Sequence, residues 1–215
     1  MKTALITGAN RGIGAEMLAQ LNADGVTARG TARDPSGDLL ACDVADAASV
    51  TAMATAYGDT PLDLLVCNAG IFIDRDETIE TGYPADMWAE EFATNVTGVF
   101  LTIQALLPNL RAAKGKIAII SSQLGSSTQL GTNGFIYRAS KAAVLNLGMN
   151  VAQTVKPDGI AVGIYHPGWV QTDMGGESAA ITPEASASGL IARFKDLSLD
   201  KTGCFENWDG RPHAV

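Results

Sequence analysis

The segments of this chain that read as strands are apolar at nearly every position, and helical segments stand between most of them. "TALIT" (3–7), "LDLLVCNAG" (62–70), "GKIAIISS" (115–122) and "GIAVGIYHPG" (159–168) show no alternation of apolar and polar residues. Such strands are buried on both faces, as in a parallel sheet with helices packed above and below it. Helical spacing runs over 13–25, 47–59, 84–110 (with Pro108 near its end), 134–155 and 182–194. The last of these opens with Thr182 as N-cap and Pro183 in the first helical position. "VTARGTA" (26–32), "DLLACDV" (38–44) and "TGCFENWDG" (202–210) read as further strands. Strands alternating with helices define an α/β fold, here a three-layer parallel sheet in a single domain spanning 1–215. One crossover breaks the pattern. Only "RDPSGD" separates the second strand from the third, whereas a parallel crossover takes a dozen or more residues, usually a helix. A trimmed crossover or a rudimentary third strand is therefore expected.

Several classes of function are disfavoured by the totals. With 47% hydrophobic residues the 215-residue chain has ample material for a core. A formal charge of −8 is unsuited to a nucleic-acid partner, and no apolar run of about 18 residues offers a membrane span. The start, "MKTALITGAN", meets a glycine turn before an apolar signal region develops, so no signal peptide and a cytoplasmic location are expected. Cys42, Cys67 and Cys204 are odd in number and widely spaced, without a C-x-x-C, and read as core thiols in a reducing compartment. No carboxylate–histidine cluster has metal-ligand spacing. His166 abuts a Pro-Gly turn, and His213 near the end of the chain reads as solvated.

Open parallel sheets bind ligands at the carboxyl ends of their strands, and the polar candidates follow strands. Gly8, Gly12 and Gly14 form G-x-x-x-G-x-G between a strand and a helix. Glycines there allow the backbone to approach a diphosphate seated on the helix N-terminus. The spacing differs from the usual G-x-G-x-x-G, and a glycine-rich turn also occurs without a ligand. Tyr137 and Lys141 lie four apart and share a helix face. A phenol titrates near pH 10, so a neighbouring ammonium would help it exchange protons near neutrality. On its own the pair is also what an ordinary helix surface shows. The small neighbours in "RASKAA" favour close packing or close approach of a ligand. Ser121 and Ser122 both stand where a polarising hydroxyl is wanted, after the fifth strand.

Five ordered motifs together resemble the short-chain dehydrogenase/reductase family, and among its members the sniffer-type carbonyl reductases and their bacterial relatives. They are "TGANRGIG" (7–14), "CNAG" (67–70, with Cys67 where Asn is commoner), "TNVTG" around Asn95, "YRASK" (137–141) and "HPGWVQT" (166–172). The resemblance implies a doubly wound Rossmann-type fold and a catalytic set of Asn95, Ser122, Tyr137 and Lys141. The family gives the hydroxyl's role to the second serine. The 15 residues from Ser122 to Tyr137 (137 − 122) are a slightly long spacing that suits the sniffer-like branch. Cofactor contacts are implied for Gly8, Asn10, Arg11, Gly12, Ile13, Gly14, Asp43, Val44, Asn68, Ala69, Gly70, Tyr137, Lys141, Pro167, Gly168, Val170 and Thr172. Asn95 is implied to bind a water that passes protons through Lys141. Self-association, as a dimer or tetramer, is also implied.

The second strand ends "GTARDP". An acid near that end would suit the ribose 2′-hydroxyl of NAD, and an arginine the 2′-phosphate of NADP. Arg33 follows the strand and Arg11 lies within the glycine turn, while Thr31 and Ala32 stand where the family places a discriminating acid. These features favour NADP(H), since an arginine fork binds phosphate oxygens in pairs. The expected function is interconversion of an aldehyde or ketone and an alcohol. The alternatives are a signalling protein that binds NADP with little turnover, and a lyase or epimerase on the same scaffold.

Overall fold

Seven parallel strands form one sheet in the order β3-β2-β1-β4-β5-β6-β7. The computed structural model describes residues 1–80 and 82–215. The strands are β1 (Thr3–Ile6), β2 (Thr27–Ala32), β3 (Leu40–Ala41), β4 (Leu64–Cys67), β5 (Lys116–Ile120), β6 (Ala161–His166) and β7 (Cys204–Asn207). The helices are α1 (Gly12–Ala23), α2 (Ala47–Tyr57), α3 (Ala85–Phe92), α4 (Gly98–Ala113), α5 (Phe135–Val155) and α6 (Pro183–Asp196). The order reverses between β1 and β4, which makes the sheet doubly wound and opens a crevice at their carboxyl ends.

The apolar runs are continuous because successive residues serve two different cores. Leu5, Leu65, Cys67, Ile117, Ile119 and Ile164 face α2, α4 and α5. Ala4, Ile6, Leu64, Val66, Ala118 and Tyr165 face α1 and α6. Every position of β4 and β6 is buried. Cys42 and Cys67 are buried and free, as expected of core thiols, and burial pushes their pKa up to about 11 and about 12.

The unusual crossover takes the form the sequence suggests. No helix lies between β2 and β3, and β3 is only two residues long, paired as Thr31–Leu40 and Ala32–Ala41. Leu39 from the short link packs against the core on the α1 side and partly replaces the missing helix. Gly30 makes room for it: a Cβ there would lie 2.6 Å from both Ala9 Cβ and Leu39 Cδ2.

The long helix expected over 84–110 runs further than that, and it is not uniform. It passes Pro108 to end at Ala113, and between α3 and α4 it loosens into a π turn at Ala93–Thr97. Asn95 sits inside that turn and is 1% exposed. Single π turns within α-helices are frequent at functional sites. Thr182 caps α6 as expected, its side chain accepting from Ala185 N–H at 3.3 Å. His213 is half-buried rather than fully solvated: its ring lies 4.8 Å from Phe205 and 6.2 Å from His166, because the residues after β7 fold back along that strand.

Filling the space at Gly30 should disturb β2 and its link. Gly30→Ala is expected to cost about 1–3 kcal/mol, the usual scale for overpacking a filled core, read as a lower urea midpoint with an unchanged denaturant slope.

Candidate active site

All seven strands point the same way, so the residues that follow them collect along one edge of the sheet. At β1 the chain turns through Gly8, at φ +65°, into α1. Gly14 lies so close beneath this turn that a Cβ would sit 2.2 Å from the Gly8 carbonyl oxygen. The turn is tied to β4 by Asn68, whose amide donates to the carbonyls of Thr7 at 2.9 Å and Gly8 at 3.0 Å. Thr7 Oγ1 accepts from the N–H groups of Asn68 and Ala69. The first turn of α1 has no side-chain cap and no acidic residue, and its N-cap, Arg11, is extended. Helix N–H groups left in this way suit an anion.

The other expected cofactor residues surround this turn. Gly8 abuts Ala69, and Thr172 packs over Gly12, 3.2 Å from where its Cβ would be. Val170 is 3% exposed and bridges to Ile181, with Gly168 at φ +88° before it. The Pro167 carbonyl accepts from Ser186. Ile13 is half-buried and Asn10 exposed. Val44 is buried, and Asp43 Oδ1 accepts from Ala45 N–H. Arg33 is exposed beyond β2. Arg11 points to the loop after β6, where it pairs with Asp173 at 2.6 Å.

The expected catalytic residues meet at the ends of β4 and β5. Tyr137, Lys141, Ser122 and Asn95 are each at most 7% exposed. The two serines are distinguished by their partners. Ser121 donates to the carbonyl of Lys141 at 2.9 Å, whereas Ser122 Oγ accepts from Leu124 N–H at 3.1 Å and is near enough to the Tyr137 phenol to favour its ionised form. Lys141 Nζ donates to the Ile120 carbonyl at 3.0 Å and lies 5.5 Å from the centre of the Tyr137 ring. A Cβ on Gly70 would lie 3.2 Å from Asn95 Oδ1 and 3.4 Å from Lys141 Nζ. Both hydrogens of the Asn95 amide are engaged within the protein, by the Ile71 carbonyl, Ser140 Oγ and, at 3.4 Å, Glu91. Its side chain is therefore a clamp on the loop after β4.

Burial dominates the electrostatics. It pushes the Tyr137 phenol up to about 12, opposed by the Ser122 hydrogen bond. It pulls the Lys141 ammonium down to about 8, opposed by the charge of Glu91. His166, buried with Nδ1 unpartnered, is lowered to about 4 by burial and then by the neighbouring His213.

Three contributors on the loop after β4 are absent from the sequence reading. Asp74, 0% exposed, accepts from the N–H groups of Ile136 at 2.7 Å and Tyr137 at 3.3 Å, and so caps α5 from a distant loop. Phe72 stacks on the Tyr137 ring at 4.2 Å and 19°. Arg75 lies 4.9 Å from the centre of the Phe72 ring and donates to the carbonyl of Met174, joining the loops after β4 and β6. Among the described residues, no cluster of His, Cys, Asp or Glu could hold a metal, and no helix is long and apolar enough to cross a membrane.

A fold and site of this kind characterise dinucleotide-dependent oxidoreductases, and comparison with known proteins agrees. The short chain dehydrogenase family profile matches residues 2–180, and the chain belongs to that family. It is 32% identical to the 1-hydroxy-2-glutathionyl-2-methyl-3-butene dehydrogenase of Rhodococcus sp. strain AD45, over 98% of both chains. Among solved structures, the NADPH-bound carbonyl reductase from chicken fatty liver superposes with a TM-score of 0.92 at 32% identity, covering 100% of this chain and 99% of that one. The carbonyl reductase Sniffer of D. melanogaster gives 0.93 at 26% identity, with 100% of both chains covered.

Removing the distant cap tests how α5 is held. Asp74→Ala leaves two N–H groups without their carboxylate partner, one on Tyr137 itself. It is expected to cost about 1–3 kcal/mol of stability in urea unfolding, the scale for orphaned buried donors.

Proposed function

We propose that the protein is an NADP(H)-dependent reductase that interconverts an aldehyde or ketone and the corresponding alcohol. The observation that carries this reading is the convergence of Ser122, Tyr137 and Lys141, all buried, at the ends of β4 and β5 beside an uncapped helix N-terminus. The NADPH bound to the chicken carbonyl reductase supports the choice of cofactor. This chain's own cradle, where backbone closes on backbone at Gly8 and Gly14, suits the diphosphate of a dinucleotide.

When bound, NADPH supplies a hydride to the carbonyl carbon. The hydroxyls of Ser122 and Tyr137 hold the carbonyl oxygen, and Tyr137 passes its proton to the oxygen as negative charge develops there. Donors already oriented toward a developing oxyanion supply much of the rate. The Lys141 ammonium makes the phenol a better acid, and Phe72 covers one face of its ring. Gly8, Gly12, Gly14, Asn10 and Ile13 would cradle the diphosphate, and Asp43, Val44 and Ala69 the adenosine end. Pro167, Gly168, Val170 and Thr172 would lie along the nicotinamide end.

Arg33 would meet the 2′-phosphate. Arg11 is also available: its pair with Asp173 is exposed on both sides, and such pairs contribute about 0–1 kcal/mol, less than a charge-assisted contact with a phosphate.

Consumption of NADPH against a panel of aldehydes and ketones tests the function. Tyr137→Phe is expected to lower turnover about 10²–10⁴-fold while NADPH still binds. Undiminished turnover in that variant would refute the role of Tyr137. Binding of NADPH by the wild type without consumption would favour the regulatory alternative.

The cofactor choice has its own test. Arg33→Ala should weaken NADPH binding roughly tenfold to a hundredfold, as expected for losing about 1.5–3 kcal/mol of hydrogen bonding to a charged group, and leave NADH binding little changed. Equal losses for the two cofactors in calorimetry would remove Arg33 from the phosphate site.

A further inference from the structure

Behind the residues proposed for catalysis lies a carboxyl group that this mechanism does not use. Glu91 lies one helical turn before Asn95 and is 0% exposed, whereas the adjacent Glu90 is exposed. Glutamates are almost never fully buried unless paired. Burying an isolated carboxylate is costly enough that it usually takes a proton instead. Glu91 has two hydrogen-bond partners, Ile73 N–H at 3.3 Å and the Asn95 amide at 3.4 Å, both longer than usual. Among the described residues it forms no direct ion pair.

The charged groups around it come from three elements. They are Asp74 on the loop after β4, Lys141 on α5 and Glu90 on its own helix. Asp74, held by Ile136 N–H at 2.7 Å, disfavours the charge of Glu91. Burial pushes Glu91 up to about 7, while burial pulls Lys141 down to about 8. Two opposite charges that titrate over neighbouring ranges, each favouring the other's ionised form, behave as a coupled pair. The ammonium needs such a partner, because among the described residues its one hydrogen bond is to the neutral carbonyl of Ile120.

We propose that Glu91 is a positioning residue of the redox site: its buried carboxylate, set behind Asn95, keeps Lys141 in the ammonium form and thereby sets the upper pH limit at which Tyr137 delivers its proton. The inference rests on the reading of Tyr137 and Lys141 given above. The sign follows from the charges. Glu91 is ionised above about pH 7, so it raises the Lys141 pKa in the range where that group would lose its proton. Removing the carboxylate lets Lys141 deprotonate at lower pH, and carbonyl reduction should decline earlier as pH rises.

Glu91→Gln keeps the shape and an acceptor for Ile73 N–H but removes the charge. In this variant the alkaline limb of kcat/KM for carbonyl reduction should move down by about one pH unit or more, the scale for a nearby opposite charge, with NADPH affinity kept. Glu91→Asp, which retains the charge, should bring the limb back toward its original place. An unmoved limb overturns the proposal, as does an equal loss at every pH, which is what a purely structural role would produce.

A measurement on the wild-type protein needs neither a folded variant nor turnover. With glutamate carboxyl carbons labelled with carbon-13, one glutamate should titrate near pH 7, apart from the rest. A buried glutamate that stays protonated above about pH 8 would overturn the proposal even if no Glu91 variant folds, because no charge would then face Lys141 where it loses its proton. A wild type with that near-neutral glutamate and no carbonyl turnover would instead count against the redox reading.

Discussion

The structure depends on parallel pairing. A parallel strand cannot be followed directly by its neighbour, so the chain must cross over one face of the sheet each time it adds a strand. Both faces are then covered and every strand ends on the same edge. Gly8, Arg33, Val44, Asn68, Ser122 and Pro167 come from different parts of the sequence and share one rim for that reason alone. The crevice between β1 and β4 is where crossovers on opposite faces diverge, and the glycine turn occupies it.

On that rim the interior is polar by arrangement. The loop after β4 is fixed from both sides: Asn95 and Glu91 hold Ile71 and Ile73, and Asp74 holds the start of α5. Together these contacts connect the π turn region, the loop and the helix that carries Tyr137 and Lys141. The π turn matters here because it alters the helical phase just where Asn95 must face the loop and α5.

Much of this could be read from the residues. Unbroken apolar runs such as "LDLLVCNAG" revealed the two-sided burial, and "RDPSGD" revealed the missing crossover helix. Tyr137 and Lys141 were visible because their spacing is local, within one helix. Asp74 was not, because it caps a helix 62 positions away. Glu91 was hidden for a different reason. In "AEEF" two adjacent acids look alike, and only tertiary packing decides that one is buried and the other wet. Its position four before Asn95, on the same helix face, was the one available signal. Arg11 read as a phosphate ligand, and its exposed pair with Asp173 could not be foreseen from residues so far apart.

The short third strand also bears on whether the sheet can pair with another along its edges. A sheet edge is a row of unpaired backbone groups that invites another strand. Here one margin ends in only two residues, Leu40 and Ala41. The other, β7, is occupied by the returning chain, with Glu206 bridged to Pro212 and His213 N–H bonded to the Phe205 carbonyl. The sheet is blunted at one end and hemmed at the other, so strand-to-strand growth has little to build on at either margin.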